Sequence, residues 1–243
     1  MMDDFLKTRV QDFWQESSCG EKLYLEGFSK DDYLKQSKLR YELEPEILDF
    51  AEFGTFNGKE TLEIGVGLGS DHMYLAQHGA ILTGIDLTQR AIDHTSRRFE
   101  LMGLQSNLLQ ADAENLPFPN SFFDRVYSWG VIHHSPNTPK IVKEINRVLK
   151  RRGLAKIMVY HKNSLVGYML WFRYGLLRFR PFISLEKIYH HYLESPGTKA
   201  YSYQEAKNLF NNFEIISISS PLTHADLLRS KAGQRHEGGL LIL

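Results

Sequence analysis

The sequence predicts an α/β protein with a doubly wound, mostly parallel sheet and helices on both of its faces. Short apolar runs alternate with helical patterns over residues 59–160, which is the order typical of strands joined by crossover helices. Glycines occupy alternate positions directly after the first apolar run, and an acidic residue ends the second. These observations indicate a nucleotide-binding βαβ unit at the start of the sheet.

Length and composition limit the class of protein. The 243 residues are enough for one large α/β domain or for a domain with an added cap. Basic and acidic residues number 29 each, so a globally basic nucleic-acid binder is not indicated. Cys19 is the single cysteine, which excludes an internal disulfide and favours a structural role over a nucleophilic one. The polar N-terminus resembles no signal peptide, and no apolar run approaches the roughly 20 residues of a spanning helix. We therefore expect a soluble cytoplasmic monomer or homodimer with no nucleic-acid partner.

The glycine-rich stretch is the feature around which the other elements are arranged. Thr61 to Ile64 fits a buried strand, and Gly65, Gly67 and Gly69 follow it. Residues without a Cβ atom let the backbone turn sharply and approach a ligand closely. Asp86 ends the next strand about 20 residues later, which is the usual distance for an acidic side chain to reach ribose hydroxyls.

The spacing of these glycines separates two kinds of ligand. A dinucleotide site expects G-x-G-x-x-G, because the pyrophosphate needs the free N–H groups of a helix N-terminus. Here the spacing is G-x-G-x-G, and Glu63 precedes it. A carboxylate at this point would repel a pyrophosphate and would suit an amino group or a sulfonium. A glycine turn without any ligand is the alternative, which the position of Asp86 makes less favoured.

The remaining core elements follow in regular order. Ser70 and Thr88 are candidate helix caps, and Gly79 and Gly103 are candidate helix stops. Pro136 and Pro139 flank the start of another helix, which has an apolar face. The further strands are expected at Ala80–Asp86, Asn107–Ala111, Phe123–Ser128 and Leu154–Tyr160.

Helical segments are expected on either side of this core. An apolar face on Phe5, Val10, Phe13 and Trp14 predicts a first helix, and a second runs from about Tyr33 to Phe53, with Pro45 as a kink or a restart. After the core, residues 161–200 are apolar, aromatic and locally basic, with Arg173, Arg178 and Arg180. A cap over a substrate pocket is favoured there over a membrane-surface helix or a dimer contact. Ser202 begins a capping box, and strands are expected at Phe213–Ser219 and Gly239–Leu243.

These motifs in this order resemble the class I S-adenosylmethionine-dependent methyltransferases. The resemblance covers roughly residues 40–160 and rests on E-x-G-x-G-x-G at Glu63, on Asp86, on Ala111-Asp112-Ala113 with Leu116-Pro117-Phe118, on Phe123–Tyr127 and on Arg147–Lys150. Arg151-Arg152-Gly153 replaces the usual Pro-Gly-Gly, at a turn far from the cofactor end of the strands. The family's fold implies a Rossmann-like, seven-stranded sheet, mostly parallel with one antiparallel strand, plus helical cap elements.

The resemblance also implies the site and the cofactor, S-adenosylmethionine, with S-adenosylhomocysteine as product. In the family the methionine part lies at the glycine motif, the ribose at the acid that ends the second strand, and the adenine after the third. The cofactor-binding candidates are accordingly Glu63, Gly65, Gly67, Gly69, Asp86, Leu87, Asp112, Ala113 and Trp129. His133 and His134 follow strand four and are candidate bases. The substrate-binding candidates are Tyr33, Arg40, Tyr41, His133, Tyr160 and His161. No metal site is expected, because adjacent histidines point in different directions.

We therefore expect a methyltransferase that acts on a small metabolite, and the arginines after strand five favour an acidic or amphiphilic one. Two alternatives stay open, a nicotinamide-dependent oxidoreductase and a non-catalytic protein that binds a membrane or partner through residues 165–182. The expected domain organisation is an N-terminal lid at 1–58, the cofactor-binding core at 59–160, a substrate-cap insertion at 161–200, and C-terminal elements at 201–243 that complete the core.

Overall fold

The structure, a computed structural model, describes residues 2–223 and 240–242. Its centre is a sheet whose strands lie in the spatial order β3-β2-β1-β4-β5-β6. The first five are parallel to their neighbours, and the three-residue β6 pairs antiparallel with β5. The strand order reverses between β1 and β4, which is where α/β sheets bind their ligands. The strands are β1 (Glu60–Ile64), β2 (Ile81–Asp86), β3 (Asn107–Gln110), β4 (Phe123–Trp129), β5 (Leu149–Tyr160) and β6 (Leu240–Ile242).

The predicted count of seven strands is wrong for the described part of the chain, which has six. Residues 213–219 contain no strand, although Phe213 packs against the core. Phe213 and Ile215 are half-buried between exposed neighbours, but this alternation breaks at Ile216 and Ser217, which are both exposed, and the free edge of β5 is paired with β6. Of the final strand expected at Gly239–Leu243, Gly239 and Leu243 lie outside the described residues.

Helices cover both faces of the sheet, as expected. Ile47, Met73, Val166 and Ile188 pack on one face, and residues such as Ile145 and Ala206 pack on the other. No helix in the described ranges combines the length and apolarity needed to cross a bilayer. The helices are α1 (Met2–Glu16), α2 (Glu21–Tyr24), α3 (Lys30–Leu43), α4 (Glu46–Ala51), α5 (Ser70–Gln77), α6 (Gln89–Met102), α7 (Thr138–Val148), α8 (Leu165–Tyr174), α9 (Leu185–Tyr192) and α10 (Tyr203–Leu209).

Local signals fixed most helix ends. The Thr88 hydroxyl accepts from the Ala91 amide, and Ser202 forms the expected capping box with Glu205. Gly103 ends α6 with φ +67°. The assignment of Ser70 as a cap is wrong, because the left-handed Gly69 holds the cap position and the Ser70 hydroxyl donates to Gln36 Oε1 at 2.8 Å.

Two boundaries differ from the expected ones. The predicted helix from Tyr33 to Phe53 is two helices, because α3 ends at Leu43 and Pro45 starts α4, so Pro45 marks a restart. β5 begins at Leu149 and not at Leu154, since the pairing shifts from Phe123–Leu149 to Arg125–Leu154. The turn expected at residues 151–153 is therefore a bulge inside the strand, with Arg152 at φ +66°.

Candidate functional site

A cavity of about 230 Å³ lies at the carboxyl ends of the parallel strands, with side chains of α1 and α3 along its wall. Residues from strand ends therefore share it with residues from the N-terminal helices, which are far away in sequence. Most of the predicted site residues line it: Arg40, Glu63, Gly65, Gly67, Asp86, Leu87, Asp112, Ala113, Trp129, His134 and Tyr160. The other five, Tyr33, Tyr41, Gly69, His133 and His161, are not part of the lining.

The glycine loop explains why each of its three glycines is needed. All three have positive φ, at +83° for Gly65, +52° for Gly67 and +75° for Gly69. A Cβ atom on Gly65 would lie 2.2 Å from Val131 Cγ2, and one on Gly69 would lie 2.9 Å from Thr95 Oγ1. Gly67 has no atom within 4 Å of that position, so its open face borders the cavity and leaves the backbone accessible to a ligand.

Asp86 is held in place by the glycine loop and by the start of the next helix. Its Oδ1 accepts from the Thr88 amide at 2.9 Å and the Thr88 hydroxyl at 2.8 Å, and its Oδ2 accepts from the Gly67 amide at 3.2 Å. Burial raises the pKa of Asp86, and these hydrogen bonds oppose that rise. A carboxylate offers about four acceptor positions, so at least one stays available for hydroxyls of a ligand.

Glu63 belongs to a buried network that the sequence did not indicate. Its Oε2 lies 2.8 Å from His72 Nδ1, and His72 Nε2 lies 2.8 Å from Ser106 Oγ. Ser106 donates its hydroxyl to the Leu82 carbonyl, so it accepts from His72 Nε2–H. A neutral His72 then has a bare Nδ1, to which a protonated Glu63 donates.

The pKa shifts agree with this neutral pair. Burial, followed by the charge of Asp71, raises the pKa of Glu63 well above its usual range. Burial lowers the pKa of His72 to about 3. The His72 ring is fully enclosed and fits because residue 84 of β2, which faces it, is a glycine. A Cβ atom on Gly84 would lie 2.5 Å from His72 Cε1. A glycine inside an apolar strand was the one signal in the sequence for this arrangement.

Arg40 and Tyr41, two candidate substrate residues, both bind Asp71. Arg40 donates to Asp71 Oδ2 at 3.1 Å and also forms an ion pair with Glu44 at 3.3 Å. Tyr41 donates to Asp71 Oδ1 at 2.8 Å, and Tyr127 donates to its Oδ2 at 3.0 Å. Asp71 therefore orients Arg40 at the cavity wall, whereas Tyr41 supports it from behind.

Helix α1 lies over the part of the cavity where Asp112 stands. Lys7 Nζ is 2.7 Å from Asp112 Oδ2 and 2.7 Å from Glu114 Oε2. Gln11 donates to the Leu87 carbonyl at 3.0 Å. Sequence patterns gave α1 as a helix, but nothing local indicated that Lys7 would reach the residue predicted to meet the adenine.

At the opposite end, His134 faces a carboxylate that sequence reasoning missed. His134 Nε2 is 3.3 Å from Glu194 Oε2, and the same oxygen accepts from the Tyr160 hydroxyl at 2.7 Å. His134 Nδ1 lies 2.9 Å from Ser195 Oγ. The network is satisfied when Ser195 donates to Nδ1 and the ring proton sits on Nε2, toward Glu194. Burial, and then the charge of Lys199, lowers the pKa of His134 to about 3, so the ring is neutral near pH 7.

His133 is fully enclosed, and both of its ring nitrogens are buried without a hydrogen-bond partner. Its ring stacks on Tyr160 with centroids 4.0 Å apart. Ligating atoms of His133, His134 and Glu194 come within 4.8 Å of one another, so the histidines have the nearby carboxylate that the sequence did not reveal. Burial, with His134 and Lys199 beside it, lowers the pKa of His133 well below its usual range.

Two more candidate residues lie away from the cavity. The Tyr33 hydroxyl is 3.0 Å from His94 Nδ1, and the Arg98 guanidinium lies 4.8 Å from the centre of its ring. The backbone of His161 pairs with that of Tyr201 in an isolated bridge, and His161 Nδ1 lies 3.3 Å from Ser220 Oγ. These contacts join the N-terminal helices to α6 and the end of β5 to the segment before α10, so both side chains have structural partners.

The two ends of the cavity differ in chemistry. Glu63, Asp71, Asp86 and Asp112 are all carboxylic acids at the ends of β1–β3 or at the start of α5. Such an end suits a ligand that carries a cation and hydroxyl groups. The other end combines the Glu194 carboxylate and the neutral His134 imidazole with the aromatic rings of Trp14, 5.1 Å from that of His134, and Tyr160. It suits an apolar ligand with one reactive polar atom.

A family model described as a methyltransferase domain matches residues 62–157. Phthiotriol/phenolphthiotriol dimycocerosates methyltransferase of Mycobacterium leprae is 39% identical over 99 residues, which are 40% of this chain and 36% of that protein. Sterol 4-C-methyltransferase of Caenorhabditis elegans is 36% identical over 101 residues, 41% of this chain and 30% of that protein. The chain thus spans about a third of the length of the curated relatives it matches.

Solved structures show the same fold over more of the chain. The S-adenosylmethionine dependent methyltransferase from Mesorhizobium loti matches with a TM-score of 0.58, covering 82% of this chain and 94% of that one. Sequence identity in this match is 14%, so the likeness is one of fold.

Proposed function

We propose that this chain belongs to the class I S-adenosylmethionine-dependent methyltransferases and transfers a methyl group from S-adenosylmethionine to a small lipophilic metabolite, because a methyltransferase domain model matches residues 62–157 and the curated relatives named above are methyltransferases. The observation that carries the proposal is the single cavity with a carboxylate-lined end at the glycine loop and an apolar end at His134 and Glu194. The elements of this chain then divide into a lid at 1–58, a core at 59–160, a substrate cap at 161–200 and completing elements at 201–243.

The residues at the carboxylate-lined end would hold the cofactor. Glu63 and the backbone of Gly65 and Gly67 would hold its methionine part, with Gly69 setting the turn. Asp86 and Leu87 would hold the ribose. Asp112 and Ala113 would hold the adenine, and Lys7 would have to share the Asp112 carboxylate with it. Trp129, on the cavity wall at the end of β4, would border the methyl group.

When bound, S-adenosylmethionine supplies a methyl group activated by a positively charged sulfur. The task of the chain is to place the accepting atom in line with the sulfur–carbon bond and to exclude water. Trp14 and Val10 of α1, together with Met158 of β5, provide apolar walls for that purpose. An acceptor that keeps its proton near pH 7 would also need a group to receive it.

Glu194 is the proton acceptor that the geometry supports. It lines the cavity, and Tyr160 and His134 hold its Oε2 from two sides. His134, with its pKa lowered to about 3, is a weak base on its own and acts here as a positioning donor. His133 does not line the cavity, so its predicted catalytic role stays a prediction.

The acceptor class follows from the walls and from the relatives. The cavity wall around Glu194 carries the aromatic rings of Trp14 and Tyr160 beside the neutral His134. The matching relatives named above are methyltransferases of a sterol and of phthiotriol/phenolphthiotriol dimycocerosates. We propose a hydroxyl or carboxyl group on an aliphatic lipid as the acceptor.

The test uses purified protein with methyl-labelled S-adenosylmethionine and a panel of fatty acids, long-chain alcohols and sterols. Mass analysis should detect a product heavier by one methylene unit. With alcohol and sterol acceptors, which keep their proton near pH 7, Glu194→Gln should lower turnover by about 10²-fold, the usual contribution of a positioned base, while the calorimetric affinity for S-adenosylmethionine stays unchanged. Glu186→Gln on the exposed side of α9 is the matched control and should change neither quantity.

Two results would contradict the proposal. One is the absence of S-adenosylmethionine binding in calorimetry. The other is thermal stabilisation by NAD with none by S-adenosylhomocysteine, which would favour the oxidoreductase.

A further inference from the structure

Among the residues that the structure describes, none covers an apolar surface on the turn between α8 and α9. Residues 176–182 are all exposed, including Phe179 at 95% and Phe182 at 100%. Leu177, between them and α8, is 61% exposed. Single exposed apolar residues are common on proteins, whereas a contiguous group of this kind marks a site of interaction. We name residues 176–182 the apolar turn.

The apolar turn is built by hydrogen bonds of its own. The Gly175 carbonyl accepts from the Arg178 amide at 3.2 Å and from the Arg180 amide at 2.9 Å. Trp171 closes the base of the turn, because its indole nitrogen donates to the Ile183 carbonyl at 3.0 Å. Phe179 adopts φ +56°, a backbone conformation that is unfavourable for a bulky side chain. The exposure of Phe179 and Phe182 is therefore a property of a defined turn.

Helix α8 extends the same surface. Val166 and Leu170 on its inner side are fully buried. Leu165, Tyr168 and Phe172 follow one another at helical spacing on its outer side, and each is 51% exposed. A surface helix normally has a polar outer face. The outer face of α8 is instead apolar, and packing against the described residues does not bury it.

The charge of this region is entirely positive. Residues 163–185 contain Arg173, Arg178 and Arg180 and no acidic residue, although the chain as a whole carries no net charge. Arg178 lies 5.0 Å from the ring centre of Tyr174, which is itself stacked on Tyr192 at 4.1 Å. The guanidinium groups thus border the apolar side chains.

We propose that the apolar turn and the outer face of α8 dock this protein on the surface of an anionic phospholipid bilayer. Aromatic and leucine side chains bury themselves at the boundary between headgroups and acyl chains, while neighbouring arginines bind lipid phosphates. A protein partner would need acidic groups matched to three specific arginines, whereas a bilayer offers phosphates at any position. The docking itself does not depend on methyl transfer.

Docking at this place would also serve the cavity. The segment that carries the apolar turn continues through α9 to Glu194 on the cavity wall. A lipophilic acceptor could then pass from the bilayer to the cavity without crossing water. This second step rests on the proposed function.

The test is co-sedimentation of the full chain with vesicles of phosphatidylcholine and phosphatidylglycerol in equal amounts. Wild-type protein should sediment with them, less with phosphatidylcholine alone, and less at high salt, because salt screens the arginines. The double variant Phe179→Ser, Phe182→Ser should bind roughly tenfold more weakly or worse, since both rings lose their place in the bilayer. Ile216→Ser is the matched control, because Ile216 is 78% exposed outside this surface.

Equal sedimentation of wild type and the double variant would overturn the proposal, as would no sedimentation of wild type. Size-exclusion chromatography without vesicles adds a third outcome that would overturn it: a wild-type dimer that the double variant converts to monomer assigns this face to a second copy of the chain. Urea unfolding of each variant verifies the fold, and calorimetry with S-adenosylmethionine separates a failure of docking from a failure of the proposed function.

Discussion

The two ends of the cavity are built from different kinds of sequence. At the carboxylate-lined end, Glu63, Gly67 and Asp86 lie within one βαβ unit, and the Gly67 amide binds the Asp86 carboxylate directly. At the apolar end, His134 follows β4, whereas Glu194 comes 60 residues later, after α8 and α9. One local sequence motif therefore forms the carboxylate-lined end. The apolar end forms only when segments that are distant in sequence pack together.

The two ends also differ in how far their side chains can be substituted without disturbing the fold. The cofactor is fixed in the proposed function, and its site is held by the hydrogen bond from the Gly67 amide to Asp86 and by Gly65 and Gly69, where a Cβ atom would clash. The acceptor end depends on side chains from α1 and from the segment after β5, which can vary without disturbing the sheet. Three predictions test whether the two ends are as separate as this comparison implies.

The largest effect is expected for Asp86→Ala. Loss of the carboxylate that we propose binds the ribose should weaken S-adenosylmethionine binding by about 10²-fold or more, since hydrogen bonds to a charged group contribute about 1.5–3 kcal/mol each. Isothermal titration calorimetry measures this loss, and Asp93→Ala on the exposed side of α6 serves as control. An unchanged affinity would place the ribose elsewhere and remove the basis of the comparison.

A smaller effect, on stability, is expected for Gly84→Ala. The new Cβ atom would lie 2.5 Å from His72 Cε1 and 2.6 Å from Val66 Cγ1, so it would push the buried ring that holds Glu63. Overpacking of this kind costs about 1–3 kcal/mol, which urea unfolding can measure. Gly54→Ala is the matched control, because no atom lies within 4 Å of its Cβ position. Equal stability of the two variants would show that His72 is free to move.

The smallest effect is a pH dependence confined to the cofactor end. The hydrogen bonds of His72 assign a proton to Glu63 in the free protein, and the pKa of Glu63 is shifted in the same direction, whereas a bound cation favours the carboxylate form. Cofactor binding should therefore release a proton, and affinity should rise with pH by up to about tenfold per pH unit until Glu63 is ionised in the free protein.

Calorimetry in buffers of different ionisation enthalpy detects the released proton. Glu63→Gln keeps a donor for His72 Nδ1 and should remove the pH dependence, whereas His134→Gln should leave it intact because His134 stays neutral near pH 7. A wild-type affinity that is flat between pH 6 and 9 would contradict the neutral state assigned to Glu63.

The order of strands and helices in the core could be predicted because its signals are local. Thr88, Gly103 and the capping box at Ser202 each act within four residues, and the structure has helix ends at all three. The prediction that Ser70 caps α5 failed because the turn after β1 places a left-handed residue, Gly69, at the cap position, where a glycine is more favourable than a hydroxyl-bearing residue. The prediction of a strand at residues 213–219 rested on their apolar composition. It failed because composition does not show which segment pairs with the edge of β5, and that segment is β6.

The chain's own order of residues determined the α/β alternation, the glycine turn and the carboxylates at the ends of β1–β3, because each depends on backbone geometry within a few residues. The tertiary structure alone decided that Lys7 meets Asp112, that His72 meets Glu63 beneath Gly84, and that Glu194 faces His134. Such pairs join side chains 9, 60 or 105 positions apart. These contacts depend on how the helices pack across the ends of the sheet, and a local sequence pattern does not predict that packing.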